Sequence, residues 1–189
     1  INVARQHERQ RQRVGAEFSN HLDARTTTLD EVSRLIGADR LRARGLTGAG
    51  IDVAVIDTGV APVPGLDAPD AVVNGPDLSL DFQAGAPVAV DAYGHGTHLA
   101  GIVANRSDGI APGARIVNVK VGAADGAVDV SQVIAAIDWV VQHRNTDGLN
   151  IRVLELAYGT DSTQSATLDP LSHAVEAAWR AGIVVVVSA

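Results

Sequence analysis

Seven consecutive residues, Ile51-Asp52-Val53-Ala54-Val55-Ile56-Asp57, limit the architecture of this chain more than any other stretch. They are nearly continuous in apolar, mostly β-branched side chains, the pattern of a strand covered on both faces, as in parallel sheets. Parallel neighbours need long crossover connections, and the residues that follow provide them. His95 to Asn105 reads as a helix and Arg115 to Val121 as a strand. Asp129 to His143 reads as a helix with Val130, Val133, Ile134, Ile137, Val140 and Val141 on one stripe. Asp129 with Gln132 forms a capping box. Ile151 to Ala157 is a further strand. Asp169-Pro170 caps and opens a helix whose stripe is Leu171, Ala174, Val175, Ala178 and Trp179. Gly182 ends that helix, and Ile183 to Val187 reads as a last buried strand. Strand and helix alternating this way predict an α/β fold, a parallel sheet flanked by helices, with ligands at the carboxyl ends of the strands. Asp57 stands at such an end.

Ahead of the first strand, Leu29 to Arg44 places Val32, Leu35, Ile36 and Leu41 at helical spacing, which suits a short amphipathic helix or helix pair. Residues 58–94 hold most of the prolines and several Gly and Asp. They read as connections, with a short extended piece around Ala71 to Asn74. At 189 residues, 46% hydrophobic and 20% charged, the chain has the size and composition of one domain with a real core. Its longest apolar run, Ile183 to Val187, is far short of the roughly 20 residues that span a bilayer, and no charged-then-apolar leader opens it. With no Cys, thiolate metal sites and cysteine nucleophiles are excluded.

The net charge of -7 is unevenly divided, with nine Arg against six acids over residues 1–44 and six basic side chains against 16 acids thereafter. An acidic body invites neither nucleic acid nor an anionic membrane. Arg5, Arg9, Arg11 and Arg13 are interleaved with Gln and His and have no apolar stripe, so residues 1–28 read as a solvated basic arm. A segment that docks on the acidic body is the alternative. The boundaries Ile1 and Ala189 suggest an internal piece of a longer product.

Two segments carry chemistry: Asp57-Thr58-Gly59 after the buried strand, and Gly94-His95-Gly96-Thr97-His98-Leu99-Ala100-Gly101 opening a helix. A carboxylate that accepts a hydrogen bond from an imidazole fixes its tautomer and stabilises its protonated form, which makes a usable general base. The helix start disfavours imidazolium and a nearby carboxylate favours it, so the pair can be poised near neutrality. On the residues alone, a strand-end cap at Asp57 and a satisfied polar residue at His95 remain open.

Together with Leu46-Thr47-Gly48-Ala49-Gly50, Ile110-Ala111-Pro112-Gly113-Ala114 and Val119-Lys120-Val121, these segments stand in the order of the subtilisin-like serine peptidases. The chain resembles that family from about Leu29 onward. The resemblance implies a three-layer fold cut before its carboxyl-terminal part, with residues 29–189 an incomplete peptidase domain and 1–28 an arm, propeptide remnant or linker. It makes Asp57 the orienting carboxylate and His95 the general base. His98, one turn on, is a packing or hydrogen-bonding residue rather than a zinc ligand. It also places an extended peptide along two backbone edges, Asp125-Gly126-Ala127-Val128 and Ala157-Tyr158-Gly159, by strand addition. The family's nucleophile, in a Gly-Thr-Ser-x-Ala helix start, and its oxyanion Asn are not among the 189 residues; Ser162, Ser165, Ser172 and Ser188 sit in no such motif. The chain by itself is expected not to turn over peptides. Implied partners are a peptide or protein substrate and a propeptide or inhibitor. No cofactor is expected; calcium is allowed by the family, with no site identifiable and a short loop after the histidine helix. Export from the cell is the family's expectation.

One departure stands out. Where the family has Asn-x-Ser-x-Gly, this chain has Glu155-Leu156-Ala157-Tyr158-Gly159. A carboxyl in a buried apolar strand must be paired, protonated or solvated in a cleft. It favours a second reading, an inactive relative that binds extended peptides or a partner chain. A third, an aspartic peptidase built on Asp57-Thr58-Gly59, needs a β-rich architecture that the helix stripes oppose.

Overall fold

The computed structural model describes residues 28–82, 89–160 and 164–188. The basic arm lies outside these except for Thr28. That residue caps the first helix, α1 (Leu29–Leu35), in a capping box with Glu31, and Gly37, in the left-handed region at φ 77°, turns the chain into α2 (Ala38–Ala43). The region is thus a helix pair. Its apolar residues are only partly covered: Leu35, Ile36 and Leu41 are exposed, Val32 is half-buried, and the buried positions are Ser33 and Ala38.

Five strands follow, β1 (Asp52–Asp57), β2 (Val72–Asp77), β3 (Arg115–Lys120), β4 (Ile151–Leu156) and β5 (Val184–Val187), in the spatial order β2-β3-β1-β4-β5. Every pairing is parallel. That arrangement excludes the β-rich architecture of an aspartic peptidase. The continuous apolar run became the central strand, buried at all six positions. Its register is anchored at the amino-terminal end, where Asp52 receives two 2.7 Å hydrogen bonds from the Arg115 guanidinium and a third from the Asn150 N–H. One carboxylate thereby ties β1, β3 and the start of β4.

Alternation along the strands divides the core between two faces. Ala54 and Ile56 of β1, with Val117 and Val119 of β3 and Leu154 and Leu156 of β4, pack on α4 (Val130–His143) and α5 (Pro170–Arg180). Val53 and Val55 pack on Ala100 and Ala104 of α3 (His95–Ala104). The capping box of Asp129 with Gln132 and the Asp169 N-cap with Pro170 both form. The outermost strand departs from expectation. Ile183 is buried, but Val184, Val186 and Val187 are about half exposed. β5 is an edge strand rather than a buried one.

Candidate active site

β1 delivers Asp57 to the carboxyl edge of the sheet, and α3 begins directly beside it. The contact is close because Gly96 has no side chain. A Cβ there would lie 2.3 Å from the Gly59 carbonyl oxygen and 3.0 Å from Asp57 Oδ1. The Gly96 N–H donates to Thr58 Oγ1 at 3.0 Å, joining the helix start to the strand end.

His95 places Nδ1 2.8 Å from Asp57 Oδ2 and 2.9 Å from Oδ1. Asp57 is buried, its side chain 5% exposed, while the imidazole is 45% exposed. The Thr58 N–H also donates to Asp57 Oδ1, at 2.7 Å. The ring thus reaches both carboxylate oxygens, and Oδ1 is held by backbone as well. With Nδ1 so engaged, the tautomer that leaves Nε2 as the acceptor on the open side is favoured.

The residue that holds this start in place was not singled out from the sequence. Gly94, the N-cap of α3, has φ 102° and no side chain with which to cap. Asp91 serves instead. Its Oδ1 accepts from the N–H groups of Tyr93 and Gly94 and from the Thr58 hydroxyl, and its Oδ2 accepts from the Thr97 N–H and hydroxyl. Burial works against its charge, but the hydrogen bonds from Gly94, Thr97 and Thr58 outweigh it and hold the carboxyl below its ordinary value. Lys120, buried at the end of β3, donates Nζ to the Thr58 carbonyl at 2.9 Å.

Asp57 and His95 open into a cleft of about 640 Å³. Gly126, Ala127 and Val128 line it, and so do Ala157, Tyr158 and Gly159. Asp125 does not; it turns the loop, accepting from the Ala127 N–H at 2.9 Å. Tyr93 joins the lining, and its ring sits where a side chain on Gly126 would be, 2.9 Å from an added Cβ. No sequence motif marks Tyr93, since its contact with Gly126 spans 33 residues.

Ser172 bonds the Asp169 cap, Ser165 lies against Thr167, and Ser188 is exposed; none lines the cleft, and Ser162 falls outside the described residues. His98 is exposed on α3 rather than packed, and among the described residues no three His, Cys, Asp or Glu side chains are grouped to hold a metal ion. Glu155 is the anomaly beside the pair. It is half-buried, its Oε2 has neither solvent nor a hydrogen-bond partner, and burial first and the Asp57 charge second push its carboxyl up to about 7, against a smaller opposing effect of His95.

Comparison with known proteins gives the arrangement its context. The model of the subtilase family matches residues 48–189. The alkaline protease of Alkalihalobacillus alcalophilus is 34% identical over 174 residues, 87% of this chain and 41% of that protein. The serine protease AprX of Bacillus subtilis (strain 168) is 37% identical over 155 residues, 76% of this chain and 34% of that one. Among solved structures, a cold adapted subtilisin-like serine proteinase superposes with a TM-score of 0.59 at 32% identity, covering 75% of this chain and 47% of its own. The chain thus spans less than half the length of these relatives. A family match over most of the residues, identities above 30% and a shared parallel-sheet fold agree: the chain belongs to the subtilase family.

Proposed function

We propose that this chain is the amino-terminal portion of a serine endopeptidase, in which Asp57 orients His95 and His95 acts as general base toward a serine supplied from outside these 189 residues. The observation that carries the reading is the 2.8 Å contact between a buried carboxylate and Nδ1 of a half-exposed imidazole at the wall of a cleft. Such a carboxylate stabilises the imidazolium that forms when the ring takes the hydroxyl proton, and the same ring then returns that proton to the leaving amine. The two backbone edges, 125–128 and 157–159, bind an extended peptide by main-chain hydrogen bonds, and the Asp125 side chain helps to shape the first edge. A propeptide or inhibitor would occupy the same edges. Residues 29–189 belong to the peptidase domain and 1–28 to an arm, propeptide remnant or linker, in a protein destined for export. No helix among the described residues is long and apolar enough to cross a membrane. Calcium enters only as a family option.

The test is made on the full-length protein. A serine-directed phosphonate should label it, and His95→Ala should slow both labelling and peptide hydrolysis by at least about 100-fold. Glu155 and Ala157 favour a second reading, a non-catalytic relative that binds extended peptides. A full-length protein with an intact serine that binds peptide yet is neither labelled nor active would decide for it.

A further inference from the structure

Glu155 is a half-buried acid beside the Asp57–His95 pair that the proposed mechanism does not use. β4 pairs with β1 so that Glu155 stands opposite Val55, and with β5 so that it stands opposite Val186. In a parallel sheet, paired residues share a face, and so do residues two apart on one strand. Glu155 therefore leaves the sheet on the side of Val55 and Asp57, where α3 carries His95, and not on the side filled by α4 and α5. Its Oε2 is shut off from water without a partner. From β1 it faces Asp57, from α3 His95, and from β5 only Val186. Lys120 lies on the opposite flank of β1, engaged with the Thr58 carbonyl, and Asp91 is held by Thr58 and Thr97. Arg152, on its own strand, reaches instead to Asn145.

We propose that Glu155 is a positioning residue for the Asp57–His95 pair, a neutral acid in one state and a second negative charge beside Asp57 in the other, and that the change of state governs how readily His95 holds a proton. The proposal rests on the reading of His95 as the general base. With Glu155 protonated, the pair carries one negative charge. Once Glu155 ionises, imidazolium is held by two carboxylates, and His95 must reach a higher pH before it is free to accept a proton. Because the Glu155 carboxyl is pushed up to about 7, it changes charge near neutrality, and its proton is coupled to that of the His95 ring. The pair then gains base strength and loses availability together as Glu155 ionises.

The experiment is the titration of the His95 ring by NMR in the full-length protein, wild type against Glu155→Gln and Glu155→Asp. Gln is neutral at every pH, so the His95 midpoint should fall by about half to one pH unit. Asp retains an ionisable carboxyl and should move the midpoint less. A midpoint unchanged in E155Q, or lowered equally by both substitutions, overturns the proposal. Should neither variant fold, the wild-type curve carries the test: coupling broadens it to an apparent Hill coefficient below one, and a simple one-proton curve refutes coupling. Peptide hydrolysis is followed in parallel. The acid limb of kcat/KM should move down with the midpoint in E155Q. A shifted midpoint without any hydrolysis removes the peptidase reading and leaves the charge coupling standing, whereas hydrolysis with an unmoved midpoint removes the coupling alone.

Discussion

At the scale of single residues, the site depends on how near α3 can come to the end of β1. Gly96 sets that distance, since an added Cβ would meet the Gly59 backbone carbonyl at 2.3 Å and the buried Asp57 side chain at 3.0 Å, which leaves little room to yield. Gly96→Ala should therefore part His95 from Asp57, cost about 1–3 kcal/mol of stability and lower peptide hydrolysis by about 100-fold. Gly101, on the same helix with nothing within 4 Å of an added Cβ, is the matched control. Gly101→Ala should leave activity intact and hold or raise Tm, because alanine favours helix over glycine. Thermal melts and steady-state assays of the two variants check both statements, and equal behaviour would show that the close approach is not what places the ring. Asp57 and His95 were legible because each lies in a compact local motif. Asp91 was not, because its full role appears only when Thr58, 33 residues earlier, is brought to it by the fold.

At the scale of elements, caps and stripes decided where helices begin. The Asp129 side chain accepts from the Ser131 N–H and hydroxyl, and Gln132 returns a bond to the Asp129 N–H. Those hydrogen bonds from Ser131 hold the carboxyl below its ordinary value of 3.8. Its contribution to stability is thus present above pH 3.8 and fades as the pH falls below it. Asp129→Ala should lower Tm by a few degrees near neutrality and by less at pH 3, while Asn, an equal N-cap, should stay close to wild type. A Tm difference independent of pH would mean that the charge of the cap does not matter. The cap also adjoins the 125–128 edge, so its loss should loosen one wall of the cleft. Helix and strand positions were readable here because both the capping box and the 3.6-residue stripe are local patterns, whereas the half-exposed state of β5 was not, because identical valines suit a central or an edge strand.

At the scale of the whole molecule, the order β2-β3-β1-β4-β5 leaves an edge strand with Val184, Val186 and Val187 about half exposed, 52%, 50% and 52%. Unpaired backbone beside apolar side chains is a template for pairing with another copy. The 189-residue chain on its own should associate at roughly tens of micromolar, and Val184→Lys with Val186→Lys should suppress this without shifting the unfolding transition. Sedimentation that shows a monomer over that range would contradict it. Composition and periodicity determined that there is a parallel sheet flanked by helices, and the two motifs determined which carboxylate and which imidazole to watch, since each of these is written in residues close along the chain. Strand order and register decided the rest: that Glu155 faces the same side as Asp57, that Tyr93 meets Gly126, and that Asp91 meets Thr58. Those relations join residues tens of positions apart, and only the closing of the sheet brings them within reach of one another's charges and hydrogen bonds.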